Sequence, residues 1–321
     1  MTFTIKLLFL ILCSVSVFSQ PLIITTYDSI QTPNQWYDYK TPTYLYLQFT
    51  LSIYNNSAVT QDYTVLFSSG LNSGSISNFN RQALNTYLEN ITYRLTSVAS
   101  NSDSFLLKDF SDLDLTESNS LTNQASSDQI PPYNDTDLSF FLSIDPNQTI
   151  RSGSYTDQIN IKVYNKKPLD ITSETDSLNE TISIPVTIDV LKYSSLDFEQ
   201  DDLTINLLFM GQAQIETIYS TINSNTGFSI SASSANDGNL IHNDITEATA
   251  IPYHIRLKTN ESDFTSWTEP SLSDSTLFTN QLIPTAYHSA EFQIKISPYA
   301  SHDSFLEGSY SDTLTLTISE Y

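Results

Sequence analysis

The chain has 321 residues, with 36 acidic and 13 basic side chains and a formal net charge of −23 at pH 7. This excess of negative charge argues against binding to nucleic acid or to an anionic membrane surface, because both attract basic proteins. Hydrophobic residues make up 39% of the chain, with 19 Tyr and 17 Phe, so sizeable cores are expected and intrinsic disorder is not.

Residues 1–19 have the pattern of a secretory signal peptide. Lys6 supplies the basic region, Leu7–Leu12 form the apolar region, and cleavage is expected before Gln20. The apolar run is too short for a helix that spans a membrane. The only cysteine, Cys13, lies in this segment, so the mature chain is expected to form no disulfide. A lipid anchor on Cys13 is the less favoured alternative, because a bulky leucine precedes it.

Three segments in the first half of the chain predict strands. They are Tyr63–Gly70, which runs from a strand into a turn, Ile91–Leu95, and Ser152–Tyr164, which contains Gly-Ser-Tyr near its start. In the third segment the apolar positions are Ile159, Ile161 and Val163. Alternation with a period of two is typical of a strand buried on one face. We see no long segment with helical periodicity, and we expect an all-β chain.

The same three segments recur in the second half, in the same order and with similar spacing. Phe228–Ala235 matches the first, Ile251–Ile255 the second, and Glu307–Tyr321 the Gly-Ser-Tyr segment. In the last copy the apolar positions are Leu314, Leu316 and Ile318. Repetition of an ordered set of strands indicates a tandem duplication of one domain.

Another alternating segment, Glu180–Val190, follows the first Gly-Ser-Tyr strand and has no counterpart after the second copy. It is either the last strand of the first domain or the first strand of the second domain. In both cases the first domain has chain available to close its sandwich. We therefore expect the second domain to carry an open sheet edge.

The ordered motifs resemble the spore coat protein U domain, the pilin module of archaic chaperone–usher pili. Asn236–Leu240 and Ile251-Pro-Tyr253 are especially similar to the second domain of the two-domain tip subunits of these pili. The mature chain departs from the family pattern in having no cysteine and little glycine, with only 7 Gly in all.

The resemblance implies two tandem immunoglobulin-like β-sandwich domains of the pilin type, at residues 20–190 and 191–321. The second domain would lack its last strand, and its acceptor edge would carry Leu314, Leu316 and Ile318. In this family a periplasmic pilus chaperone or an adjacent pilin subunit donates the missing strand, and an outer-membrane usher exports the subunits. The implied function is that of a tip adhesin, secreted through the periplasm to the pilus tip at the cell surface, where it mediates surface attachment and biofilm formation.

An adhesin needs a contact surface, and two loop-like segments of the first domain are unusually apolar. They are Phe105, Leu106 and Leu107, and Ile130, Pro131, Pro132 and Tyr133. Exposed apolar loops could bind a surface through the hydrophobic effect. The alternative for Phe105–Leu107 is an ordinary core strand. The prolines of the second segment disfavour a central strand, so a loop is expected there.

No catalytic, cofactor-binding or metal-binding residues are expected. The four histidines lack the spacing of metal ligands, and Asp112, Asp114 and Glu117 lack the glycine of a calcium loop. Six Asn-x-Ser/Thr sequons are expected to have arisen by chance; they begin at Asn55, Asn90, Asn134, Asn147, Asn179 and Asn260. The rival functions are a shaft or coat-type structural subunit and a secreted carbohydrate-binding protein.

Overall fold

The computed structural model describes residues 21–32, 43–72, 80–110, 126–146, 148, 150–205, 213–259, 265–267, 275–280, 288–296 and 305–320. The expected signal peptide and the acidic group at Asp112, Asp114 and Glu117 lie outside these residues. The described part of the chain consists of strands, loops and short 3-10 turns, so the prediction of an all-β fold is confirmed. No helix within it is long and apolar enough to cross a membrane.

The chain divides into two compact units. Unit 1 comprises residues 1–148 and 153–191, and unit 2 comprises residues 149–152 and 192–321. The strands of unit 1 are β1 (Leu22–Tyr27), β2 (Ile30–Gln31), β3 (Leu45–Asn55), β4 (Gln61–Phe67), β5 (Arg81–Leu84), β6 (Asn90–Thr96), β7 (Ser126–Ile130), β8 (Asp135–Ile144), β9 (Gly153–Tyr164) and β10 (Leu178–Val190).

Unit 1 is a two-layer sandwich. One layer has the order β1-β3-β8-β6, and the other contains β7-β4-β9-β10-β2. Strand β5 pairs with both β6 and β9 and so connects the layers. The core between them contains side chains such as Phe49, Phe67 and Phe140, which are almost completely buried. The rings of Phe67 and Phe140 meet edge to face at 4.7 Å.

The strands of unit 2 are β11 (Ser194–Phe198), β12 (Gln214–Ser224), β13 (Phe228–Ser234), β14 (Asn239–His242), β15 (Ile251–Thr259), β16 (Ser275–Asn280), β17 (His288–Ile296), β18 (Tyr310–Ser311) and β19 (Leu314–Glu320). One sheet has the order β11-β12-β17-β15-β14-β18, and the other β16-β13-β19. In β13 and β15 buried and more exposed residues alternate, as expected for strands with one face on a core.

The two units share one topology, and the three repeated motifs occupy equivalent strands. The first motif forms β4 and β13, and the second forms β6 and β15. The Gly-Ser-Tyr motif forms β9 in unit 1, and β18 with β19 in unit 2. The register agrees residue by residue, because Val65 pairs with Val163 just as Ile230 pairs with Ile318.

Candidate functional site

Strand β9 of unit 1 has a partner on each edge. On one edge it pairs with β4 and, at Thr156, with β5. On the other edge it pairs antiparallel with β10 along its whole length, from Tyr164 opposite Leu178 to Gly153 opposite Val190. The segment that the sequence could not assign to a domain therefore closes the sandwich of unit 1.

Strand β10 closes unit 1 with a row of aliphatic side chains. At alternate positions Ile184, Val186, Ile188 and Val190 are each at most 4% exposed. Burying an aliphatic side chain of this size contributes about 1.5–3 kcal/mol. The row also covers β9, whose apolar residues Ile159, Ile161 and Val163 have no exposed surface.

Among the described residues, the corresponding edge of unit 2 is open. Strand β19 pairs with β13, and no other strand of the described residues pairs with it. Its residues Leu314, Leu316 and Ile318 are equivalent to the buried row of β9, yet they are only partly buried against the core of unit 2. This open edge, here called the acceptor edge, is the candidate site for an additional strand. In the described part of unit 2 there is no counterpart of β10.

The chemistry of the acceptor edge suits strand addition. The seven residues Thr313–Ser319 alternate between hydroxyl and aliphatic side chains and contain no charge and no proline. Charges and prolines are the usual protection of an edge strand against pairing with another chain. The nearest charged residues, Asp312 and Glu320, flank this segment.

A tyrosine–aspartate pair holds β9 in unit 1, and an equivalent pair holds the residues just before β19 in unit 2. In unit 1 the Tyr93 hydroxyl donates to Asp157 Oδ2 at 2.7 Å, and in unit 2 the Tyr253 hydroxyl donates to Asp312 Oδ2 at 2.6 Å. Burial is the main reason why the pKa of both tyrosines is raised, and the neighbouring carboxylate adds to it. Both hydroxyls therefore stay protonated and act as donors at neutral pH.

The structure places the predicted adhesive residues in different environments. Leu106 and Leu107 are 2% and 0% exposed, so they belong to the core, and Phe105 is partly buried in a 3-10 turn. Ile130 is also buried, at the end of β7. Of the second segment, Pro132 is partly buried, whereas Pro131 and Tyr133 are exposed in the turn between β7 and β8. Tyr133 is therefore the large apolar side chain of this set that remains accessible.

A second exposed apolar residue, Val59, lies in the loop between β3 and β4, which is hydrogen-bonded through Asn55 to the end of β7 and the turn that carries Tyr133. Each of these side chains is 60% exposed. Asn55 joins the two loops, because its amide nitrogen lies within hydrogen-bonding distance of the carbonyl oxygens of Val59, Ile130 and Pro131, at 2.8, 2.9 and 3.0 Å. The Tyr133 backbone is in the left-handed region, with φ of 54°, which is uncommon for a bulky residue.

A third exposed side chain, Leu169 at 59%, lies in the loop between β9 and β10. This loop is held by Asp176, which accepts hydrogen bonds from Lys166 Nζ at 2.9 Å and from Thr172. These contacts lower the pKa of Asp176, and the hydrogen bond from Lys166 has the largest effect. The carboxylate therefore stays charged at neutral pH and holds the loop.

Val59, Tyr133 and Leu169 share one end of unit 1, here called the distal loops. Tyr164 and Leu178, which border the loop of Leu169, pair at this end of β9 and β10. The chain leaves unit 1 at the other end of β10, beyond Val190, roughly 40 Å away at the rise of an antiparallel strand. Sequence reasoning missed Val59 and Leu169, because single apolar residues in polar loops form no pattern.

Two of the predicted sequons contain buried asparagines with structural roles. Asn55 has no exposed surface, and Asn179 is 6% exposed and hydrogen-bonded to the backbone of Leu22. Neither side chain is accessible to a glycosyltransferase in the folded protein. Asn147 and Asn260 lie outside the described residues. Within the described residues, no group of three or more His, Cys, Asp and Glu is placed to hold a metal ion.

No family model matches the chain, and no curated protein matches it. Among solved structures, the CsuC–CsuE chaperone–tip adhesion subunit pre-assembly complex from archaic chaperone-usher Csu pili of Acinetobacter baumannii is 14% identical, with a TM-score of 0.38, and the match covers 94% of this chain and 100% of that chain. CfaE, the adhesive subunit of CFA/I fimbria of enterotoxigenic Escherichia coli, is 11% identical, with a TM-score of 0.41 and coverage of 93% and 88%.

The CupB6 tip adhesin from Pseudomonas aeruginosa is 8% identical, with a TM-score of 0.40, and the match covers 93% of this chain and 91% of that chain. Because all three TM-scores are below 0.5 and the identities are low, these similarities do not assign a function to this chain.

Proposed function

We propose that this chain is a non-enzymatic tip adhesin of a chaperone–usher pilus. Unit 2 anchors it to the fibre by accepting a strand from an adjacent pilin subunit, and unit 1 contacts the surface. Before assembly a periplasmic pilus chaperone occupies the same edge, and an outer-membrane usher exports the subunit to the cell surface. Attachment through the distal loops then supports biofilm formation.

One observation carries this proposal. The equivalent strands β9 and β19 differ in whether a further strand pairs with their outer edge. The edge that β10 covers in unit 1 is open along β19 in the described part of unit 2, although β9 pairs with β4 in the same register as β19 with β13. The apolar row is fully buried in the first case and partly buried in the second. A strand added to β19 would bury Leu314, Leu316 and Ile318 and pair their exposed backbone groups.

Strand β10 also indicates what the incoming strand needs. It presents aliphatic residues at four alternate positions and runs antiparallel to its partner. A donor for unit 2 should have the same alternation, because an aspartate or lysine in the row would be buried without a partner. The open edge itself, with no charge between Asp312 and Glu320, would not repel such a strand.

The strand-acceptance part of the proposal can be tested with a synthetic peptide of residues 180–190 added to the full chain. Hydrogen–deuterium exchange should show new protection at Leu314–Glu320 and no change in β9, which already has both partners. A control peptide with aspartate in place of Ile184 and Ile188 should give no protection. If neither peptide protects β19, strand acceptance by unit 2 is disproved.

The adhesive part of the proposal depends on Val59, Tyr133 and Leu169, which expose apolar surface at the end of unit 1 opposite Val190. Replacing Val59 and Tyr133 with serine should reduce surface attachment by assembled pili. Tyr87 is a matched control, because it is 67% exposed in the β5–β6 turn, at the other end of the unit. Intact pili with unchanged attachment in the Val59 and Tyr133 variants would favour the rival function of a structural shaft subunit.

A further inference from the structure

His242, the last residue of β14, holds a turn of unit 2 together. Its Nδ1 atom lies 3.1 Å from the backbone nitrogens of Asp244 and Ile245, and so accepts a hydrogen bond from each. Its Nε2 atom lies 3.3 Å from the carbonyl oxygen of Glu307. Because Nδ1 is an acceptor, the ring is neutral and carries its proton on Nε2, which donates to Glu307.

The same ring packs against the segment that leads into the acceptor edge. It meets the Tyr310 ring edge to face at 4.9 Å, and it is 6% exposed. Gly308 lies so close that a Cβ atom there would be 2.2 Å from Nε2 of His242. His242 therefore connects the turn after β14 to residues Glu307–Ser311, which end two residues before β19 begins.

In unit 1 the equivalent turn is held by the amide oxygen of an asparagine, a side chain that does not titrate. In the shared register Leu84 pairs with Thr156 as Ile241 pairs with Ser311, so Asn85 is the equivalent of His242. The Asn85 Oδ1 atom accepts from the backbone nitrogens of Tyr87 and Glu89 at 2.9 and 3.0 Å. Each side chain thus supplies one acceptor for two backbone donors of the following turn.

The two acceptors differ in their response to acid. An amide oxygen remains an acceptor throughout the physiological pH range, whereas histidine is the side chain that takes up a proton between about pH 5 and 8. Once both ring nitrogens carry protons, Nδ1 has no lone pair and cannot accept from Asp244 or Ile245. A ring that carries protons on both nitrogens therefore no longer holds these two backbone amides, and the turn opens more readily.

Among the described residues, four titratable groups lie on the segments that contact the His242 ring. They are Asp244 and Glu247 in its own turn, Glu307 before β18, and Tyr310 on β18. The phenol of Tyr310 is hydrogen-bonded to the backbone of Leu306 and is not a partner of the imidazole. The carboxylates can attract a protonated ring, but they cannot restore the acceptor that two backbone amides lose.

We propose that His242 is a positioning residue for the acceptor edge and makes the start of this edge sensitive to acid, while Asn85 leaves unit 1 insensitive. This inference rests on the proposed function where it concerns strand uptake, but the opening of the turn is independent of that function. Protonation of His242 at Nδ1 releases the backbone nitrogens of Asp244 and Ile245. Because the same ring packs against Gly308 and Tyr310, a shift of the ring away from this turn loosens residues Glu307–Ser311 and weakens binding of a strand to β19.

The test measures amide exchange by NMR in the full chain without peptide, at about pH 8 and about pH 5, corrected for intrinsic exchange rates. In the wild type the protection of Asp244 and Ile245 should fall about tenfold on acidification, since hydrogen bonds of ordinary net strength are lost. The equivalent amides of Tyr87 and Glu89 should not change. His242→Asn should remove the pH dependence while preserving the protection found in the wild type at pH 8.

The reciprocal variant, Asn85→His, keeps the inference falsifiable if His242→Asn does not fold. It should bring the same acid sensitivity to the amides of Tyr87 and Glu89. His254→Asn, on β15, is a control that should leave the acid response intact. Protection of Asp244 that does not depend on pH in the wild type, or acid sensitivity that survives in His242→Asn, would overturn the inference. Binding of the 180–190 peptide at about pH 8 tests the proposed function separately.

Discussion

The hydroxyl of Tyr93 lies 2.7 Å from Oδ2 of Asp157, which is buried in a row of otherwise apolar residues on β9. The other carboxylate oxygen, Oδ1, accepts from the backbone nitrogens of Leu71 and Asn72. The pair thus links the three motifs that the chain repeats, namely the β6 tyrosine, the aspartate after Gly-Ser-Tyr and the turn after β4. A shared network explains why these motifs recur together.

Replacing Tyr93 with phenylalanine should lower the free energy of unfolding of unit 1 by about 1–3 kcal/mol. The ring still fills its space, but the buried Asp157 carboxylate loses a donor, and an unsatisfied buried acceptor costs about that much. Denaturant unfolding measures the change. Tyr27→Phe, at a side chain that is 50% exposed on β1, is the matched control and should be nearly neutral. Equal effects of the two variants would show that the hydroxyl–carboxylate contact does not stabilise the fold.

The same tyrosines predict loss of stability in alkali. Burial raises the pKa of Tyr93 and of Tyr253 above the ordinary value of 10.0. Below about pH 10 these tyrosines are protonated in both the folded and the unfolded state, so their contribution to the free energy of unfolding is complete. As the pH rises further, the unfolded chain loses protons that the folded protein keeps. The unfolding free energy should therefore fall above about pH 10.

Tyr93→Phe should make this alkaline slope shallower, and a slope identical to that of the wild type would contradict the prediction. Arg81 acts in the opposite direction, because burial lowers its pKa to about 10 and the unfolded chain then holds the extra proton. Comparing the variant with the wild type, both of which contain Arg81, isolates the tyrosine contribution.

The sequence predicted the repeated strands well, because alternation depends only on which face of a strand is buried. It could not decide whether Glu180–Val190 belongs to the first or the second domain, since a one-faced pattern does not specify the neighbouring strand. Nor could it separate Leu106 and Leu107, which are core residues, from Tyr133, which is exposed. Strand pairing and side-chain burial depend on contacts with residues distant in the chain. One example is Arg81, whose Nη2 atom donates to the carbonyl oxygen of Leu107.

Asn55→Ala should disorganise the distal loops. The Asn55 amide is fully buried beside the carbonyl oxygens of Val59, Ile130 and Pro131, and its Oδ1 accepts from Ser57. Its removal should cost about 1–3 kcal/mol and reduce attachment, because Val59 and Tyr133 are no longer held together. Asn90→Ala is the control, since it removes another sequon asparagine at an exposed position. A stable Asn55 variant with full attachment would remove this residue from the adhesive surface.

Val186→Asp should open unit 1. Val186 is fully buried in the β10 row opposite Asp157, so a second carboxylate there would be both desolvated and repelled. We expect a loss of more than about 4 kcal/mol, which is at the extreme of single substitutions. Thr181→Asp is the matched control, because it places the same charge on an exposed position of the same strand and should change stability little.

The Val186 variant also tests whether β10 acts as an internal donor strand. With β10 displaced, β9 presents the edge that β19 presents in unit 2, so a peptide of residues 180–190 should bind there and restore protection to Ile159, Ile161 and Val163. Exchange measurements with and without the peptide make the comparison. If β9 keeps its protection in the Val186 variant without peptide, the apolar row of β10 is not what closes unit 1, and the equivalence between β9 and the acceptor edge loses its energetic basis.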